Sequence, residues 1–265
     1  MDIDNNIKST QTSYISPTRC PIFCVNYCVS NLYDAVQYVY THLNDLSGQY
    51  ICFSNVHTTV MAKENTEYCN ILNAAALTYP DGAPVAKLQR KRKHPEAKRV
   101  AGPDFMDLMF KATADGTVKH YFYGSKLETL EALKRNLIKK YPNLNICGMY
   151  SPPFRPLSPE EDDEAISRIN DSDADIIWIG LGAPKQEQWM NAHKGKFNGV
   201  MMGVGAGFDF HAGTIQRAPV WVQKIGLEWL YRLTRDPKRL FMRYLVTNTK
   251  FFWYLLTEHS KRATI

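Results

Sequence analysis

What the sequence lacks narrows it first. No window supplies ~18 uncharged apolar residues in a row, so no membrane-spanning helix is expected. The opening stretch MDIDNNIKSTQTSYIS is polar and has no apolar core of the kind a secretory signal carries, so a cytoplasmic location is expected. Cysteine is sparse, with Cys20, Cys24, Cys28, Cys52, Cys69 and Cys147 scattered over 265 residues. The first three recur every fourth residue, a spacing that suits no zinc site, in a stretch rich in β-branched and aromatic residues that reads as a strand. Reduced thiols are therefore expected, and disulfides are not. Also missing is a G-x-G-x-x-G fingerprint with its following acid.

What is present points to one large α/β domain. Hydrophobic residues make up 45% of the chain, enough to build a full core at this length. Residues 1–20 read as a flexible lead-in. Then PIFCVNYCVS reads as a strand, Ser30 as the cap of a helix over 31–43, and QYICFSNV as the next strand. A helix is expected over 57–75, a Pro-Asp-Gly turn at Asp81, a charged surface loop over 90–99, and a short helix after Gly102-Pro103. Beyond it, strands over 118–124, 144–150, 174–182 and 197–205 alternate with helices, the first capped by Ser125 and the second by Ser158. Strand–helix–strand units of this length predict a Rossmann-like, mostly parallel sheet flanked by helices, over residues 21–213. Ligands of such sheets bind off the carboxyl ends of the strands, where Asn55, Asp81, Gly124, Ser125, Tyr150, Gly182 and Asp209 fall.

The character changes after Gly213. From Arg217 onward there are ten lysines and arginines against three acids, a surplus that exceeds the net +6 of the whole chain. Trp221, Ile225 and Trp229 recur four apart, and Leu240, Tyr244 and Phe251 form the next apolar stripe, so residues 214–265 read as a basic, amphipathic helical appendage. It is either a helical cap on the domain or an interfacial helix pair for an anionic membrane. A nucleic-acid role is not expected, because its aromatics sit at helical spacing without a stacking motif.

Among the motifs, GLGAPKQEQWM (180–190) lets backbone N–H groups approach a diphosphate at a helix N-terminus, with Gln186 and Glu187 in the first turn facing the same mouth; a tight turn is the alternative. GVGAGFDFHAG (203–213) reads as a Gly-rich loop from which Asp209, able to accept from a uracil N3–H, and His211 project. Both have plain structural readings too. Asp81 can serve as a general base for a hydroxyl, or simply make a turn. Asp173 and Asp175 have the Asp-x-Asp spacing of a metal pair but precede a strand, at the wrong end of a sheet, so no metal and no cofactor is expected.

Several segments taken together, YPDGAPVAKLQR, KRVAGPDFMDLM, GLGAPKQEQWM, GVGAGFDFHAGTIQRAPVWVQKIGLEWLYRL and DPKRLFMRYL, resemble the WecG/TagA/CpsF family of bacterial glycosyltransferases (glycosyltransferase family 26) over roughly residues 20–255. The resemblance implies a Rossmann-like core with a C-terminal helical appendage. It implies an inverting, metal-independent transfer from a UDP-sugar to a polyprenyl-diphosphate-linked glycan acceptor, peripherally at the inner face of the plasma membrane, in cell-surface polysaccharide synthesis. By position it implies Asp81 as the base and Arg99 on the donor diphosphate. Asn55, Gln186, Asp209 and Tyr150 would line the donor site with the backbone at Gly124, Ser125 and Gly182. Arg217, Arg232, Arg235, Arg239 and Arg243 would face acceptor and membrane. Phe53 stands where some members have a threonine, with Ser54 as the replacement hydroxyl, and SNVHTTV looks more like the exopolysaccharide-type members. The donor is thus open between N-acetylmannosamine, uronic-acid and hexose types, and a homo-oligomer is compatible with the family. The rival reading is a nucleotide-sugar-binding regulatory protein without activity.

Overall fold

The computed structural model describes residues 17–224 and 226–263; the side chains of Val220, Lys224, Arg239 and 259–263 are not described. Most of the expected lead-in, and Ile225 of the expected apolar stripe, therefore lie outside the described residues.

The described residues open with a hairpin, β1 (Arg19–Ile22) and β2 (Val25–Cys28), rather than the single strand expected from PIFCVNYCVS. Phe23 takes φ +54 in the two-residue turn between them, a left-handed conformation that reverses the chain where the apolar pattern alone shows no break. Next come α1 (Leu32–Thr41), β3 (Tyr50–Ser54), α2 (Val56–Glu64), α3 (Thr66–Ala74) and β4 (Leu77–Pro80). Asn31, not Ser30, caps α1, its side chain accepting from the Tyr33 and Asp34 amides. The helix expected over 57–75 is two, because Asn65 is extended (φ −130, ψ 109) and its side chain caps α3 by accepting from the Tyr68 amide.

Then follow α4 (Ala83–Lys91), α5 (Gly102–Ala112), β5 (Lys119–Gly124), α6 (Leu127–Lys140), β6 (Asn145–Tyr150), α7 (Pro159–Asp171), β7 (Ile176–Gly180), α8 (Lys185–Ala192) and β8 (Val200–Gly203). Ser158 caps α7 as expected, in a capping box with Glu161. Ser125 does not cap α6: it has φ +62, and Lys126 holds the cap position without a side-chain bond. The last elements are α9 (Gly207–Ala212), α10 (Val220–Lys224), α11 (Glu228–Arg235) and α12 (Pro237–Ala263). The stretch expected as a Gly-rich loop thus winds into α9.

Six strands form one fully parallel sheet in the order β4-β3-β8-β7-β5-β6. Helices α1, α5, α6 and α9 cover one face, around Phe105, Phe110, Trp178 and Phe208. Helices α2, α3, α4, α7 and α8 cover the other, around Tyr50, Tyr121, Ile177 and Met201. The central strands are apolar on both sides, as a sheet between two helical layers requires. Neighbours β5 and β7 send their following helices, α6 and α8, to opposite faces, so a crevice opens between their carboxyl ends. There Gly124, at φ +119, lies so close to Gly180 that a Cβ would stand 2.7 Å from the Gly180 carbonyl carbon.

The appendage is docked. On α12, Leu240, Thr247 and Phe251 are buried, and Thr247 meets His57 at the start of α2 (3.2 Å). Lys250 and Tyr254 reach Glu64, and Glu258 pairs with Arg92 at 2.9 Å. No helix among the described residues is long and apolar enough to cross a membrane. One cysteine expectation is corrected: Cys24 and Cys69 form a disulfide, Cα atoms 6.3 Å apart, because the hairpin turn lies against α3 although the two are 45 positions apart in sequence.

Candidate active site

The carboxyl edge of the sheet carries the polar groups. Asp81 follows β4, its amide donating to the Ser54 carbonyl (2.9 Å), which extends the β3–β4 ladder by one residue. The segment after α4 returns to the same edge through the Val100 amide and the Pro80 carbonyl. That return lays Arg99 over Asp81: Nε donates to the Asp81 carbonyl (2.7 Å), and a terminal nitrogen lies 3.7 Å from the carboxylate. Burial pushes the Asp81 carboxyl above its ordinary range; Glu228 and Asp104 push the same way, while Arg99 and Arg232 oppose them. A carboxylate raised in this manner beside cations is a candidate general base.

The other ligand of Arg99 was not visible in the sequence. Glu228, from α11, accepts from Arg99 at 2.7 Å and from Arg217 at 3.4 Å, and Arg217 donates to Asp104 at 2.5 Å. The only sequence hint was that Glu228 is one of few acids in a basic tail. Arg217 and Arg232 both lie over the Phe210 ring, 5.8 and 5.5 Å from its centroid, so two of the five basic residues expected to face acceptor and membrane gather with Arg99 near Asp81 or its partners. Arg243 adds its charge beside His57, whose pKa is lowered first by burial and then by that charge. Arg235 instead bonds Gln216 and Tyr231 on an exposed face, and the side chain of Arg239 is not among those described.

Asn55 is the N-cap of α2. Its Oδ1 accepts from the His57 and Thr58 amides, which leaves the amide nitrogen as the part available to a ligand. Ser54 does not offer its hydroxyl to the mouth: the group is buried and bonds the Tyr27 hydroxyl (2.7 Å) and Thr58 (2.8 Å). Phe53 is buried against Tyr79 and Phe105.

Gly182, at φ +79, turns the loop after β7 toward α8. Gln186 lies beneath that loop, its Oε1 accepting from the Gly182 amide (3.2 Å) and its Nε2 donating to Gly203 O (3.2 Å) and Glu187 (2.8 Å). Glu187, expected to face the mouth, points inward because it lies on the side of α8 that meets α3. It is buried, with Oε2 unbonded, beside the Tyr68 hydroxyl, and burial raises its pKa. Asp209, on α9, accepts from the Thr214 hydroxyl (3.2 Å), and His211 is tied to the Pro103 carbonyl (3.0 Å).

Not all the expected residues come together. Strands lie about 4.8 Å apart, so the five steps from β4 to β6 put Asp81 and Tyr150 on the order of 24 Å from each other. Tyr150 packs on the α7 side, between Tyr123 and the Arg168 guanidinium. The strip from Asp81 and Asn55 to Gly182 and Gly124 is contiguous; Tyr150 lies beyond it. A cavity of about 410 Å³ opens beside the strip between α1, α5 and α9, lined by Tyr33, Asp107 and Phe210 and bordered by Asp104 and Arg217. Asp173 and Asp175 sit before β7, bonded to Lys119, and among the described residues no three His, Cys, Asp or Glu converge as a metal set.

Fold and mouth together define a doubly wound α/β protein that gathers arginines and a half-buried carboxylate at the carboxyl edge of its sheet. The chain belongs to the glycosyl transferase WecG/TagA/CpsF family, whose model matches residues 21–264, and is thus a glycosyltransferase. It is similar to the N-acetylglucosaminyldiphosphoundecaprenol N-acetyl-beta-D-mannosaminyltransferases of Staphylococcus aureus strains MW2 and NCTC 8325 / PS 47. Each is 32% identical over 192 residues, covering 72% of this chain and 74% of the relative.

Proposed function

We propose that this glycosyltransferase moves a sugar from a UDP-sugar, with inversion and without a metal, to a polyprenyl-diphosphate-linked glycan in cell-surface polysaccharide synthesis. The observation that carries the reading is Asp81, raised in pKa by burial and set against Arg99 at the sheet's carboxyl edge. Asp81 takes the proton of the acceptor hydroxyl as its oxygen bonds to the anomeric carbon. The bond from that carbon to the diphosphate oxygen breaks, and UDP leaves with the electron pair. One carboxylate suffices for one displacement, and one displacement inverts the centre. Arg99, with the other arginines of the mouth, offsets the charge that grows on the departing diphosphate.

In this reading the donor lies along the strip, with the diphosphate at Arg99, Asn55 beside the sugar, and the Gly182 loop, Gly124, Ser125 and Asp209 toward the nucleoside end. Gln186 acts by holding the loop. Tyr150 would need a longer reach than the strip provides. The names of the Staphylococcus aureus relatives make N-acetylmannosamine the first donor to test and an N-acetylglucosamine-bearing diphospholipid the first acceptor. The acceptor's lipid places the enzyme peripherally at an anionic membrane, which the apolar outer side of α12 and the basic appendage suit.

The test is UDP release from a panel of UDP-sugars with a short-chain polyprenyl-diphosphate-sugar acceptor. Acceptor-dependent release from one donor is expected, with kcat about 10²–10⁴-fold lower in Asp81→Asn. An unchanged kcat in that variant would remove Asp81 from the base role.

A further inference from the structure

Glu228 is a carboxylate with two guanidinium partners drawn from separate parts of the chain. Arg99 arrives from the segment after α4 and Arg217 from the segment after α9, and the Glu228 side chain is only 13% exposed. Two guanidiniums about one anion form the fork that a phosphate group accepts. Each arginine is held from outside the pair, Arg99 by the Asp81 carbonyl and Arg217 by Asp104. The donors therefore stay in place whether or not Glu228 is present. Arg217 also keeps Nη2 buried with no hydrogen-bond partner, a donor unused by the protein. The carboxylate, in contrast, rides on a weakly held element: α11 contributes no buried residue to the core.

We infer that Arg99 and Arg217 form a two-arginine clamp for a diphosphate, and that Glu228 is its internal occupant, displaced when that ligand binds. The inference rests on the proposed use of a UDP-sugar. It moves Arg217 from the acceptor side to the donor diphosphate. It also links donor binding to release of α11, since the departing Glu228 gives up the ion pairs that fasten that helix.

The experiment is calorimetric titration of inorganic pyrophosphate, UDP and uridine into the full chain, its Glu228→Gln variant and its Arg217→Gln variant, each checked for folding by circular dichroism. Removing the occupant should tighten pyrophosphate and UDP by about fivefold or more and leave uridine unchanged, while Arg217→Gln should weaken both diphosphates. Unchanged or weaker pyrophosphate binding by folded Glu228→Gln overturns the clamp. If that variant does not fold, Glu228→Asp, which keeps the charge and shortens its reach, applies the same criterion. Tight pyrophosphate binding that follows this pattern without any glycosyl transfer would uphold the clamp and remove the catalytic reading. No diphosphate binding by any of the proteins would remove both.

Discussion

Single side chains carry the sharpest consequences. Asp81 acts as a base only when ionised, and its pKa is raised, so kcat/KM should fall with decreasing pH through a value above the usual carboxylate range. A pH–rate profile reads this directly, and a limb at the ordinary aspartate value would count against it. Glu187 gives a stability effect instead. Its folded pKa is raised by burial, so its contribution to stability is fully present below the unfolded pKa and is lost as pH rises through the folded one. Glu187→Gln keeps the hydrogen bond to Gln186 without the charge, and urea unfolding should show a shallower loss of stability toward neutral pH than in the parent. Glu187→Ala leaves one of the two Gln186 amide N–H groups without its acceptor, the other still reaching the Gly203 carbonyl, and should cost about 1–3 kcal/mol at any pH. Equal behaviour of the two variants would show that the buried network does not hold the Gly182 loop.

At the scale of elements, the alternation of strands and helices was readable because β3, β5, β7 and β8 are apolar on both faces and end in turn residues. The capping box at Ser158 was readable too, since its signals are local. Ser158→Ala should lower unfolding free energy by about 1 kcal/mol with an unchanged denaturant slope and intact UDP binding. Features set by backbone conformation were not readable: the reversal at Phe23, the break at Asn65 and the left-handed Ser125 interrupt stretches whose composition runs on. Asn55 and Asp81 could be singled out at strand ends, whereas Arg99 lies in the charged stretch expected as a surface loop and stands out only through the family resemblance. Glu228 could not, because it meets Arg99 across 129 positions, and no periodicity encodes such a meeting. Nor could the inward turn of Glu187, which depends on which side of α8 faces α3.

For the whole molecule, α12 is the distinguishing part. One stripe, Leu240, Thr247 and Phe251, is buried on the domain, while Phe241, Leu245, Phe252, Trp253 and Leu256 are exposed on the opposite side. A helix apolar on both sides has more to cover than the domain provides, and nearby lysines and arginines suit an anionic surface. Phe252→Ser with Trp253→Ser should reduce co-sedimentation with anionic vesicles several-fold while sparing the fold and UDP binding, and added salt should weaken the parent's binding as well. Unaltered sedimentation would assign the outer side of α12 elsewhere.

The strand order has a consequence for how the chain is made. Tyr50 of β3 pairs with Met201 of β8, although about 150 residues are synthesised between them. At 5–20 residues per second, β3 emerges from the ribosome roughly 8–30 s before the neighbour that completes it. During that interval one edge of an apolar strand has no partner from its own sheet, as does the matching edge of β7 once it appears. Nascent chains stalled before β8 should therefore be the ones that most need a chaperone.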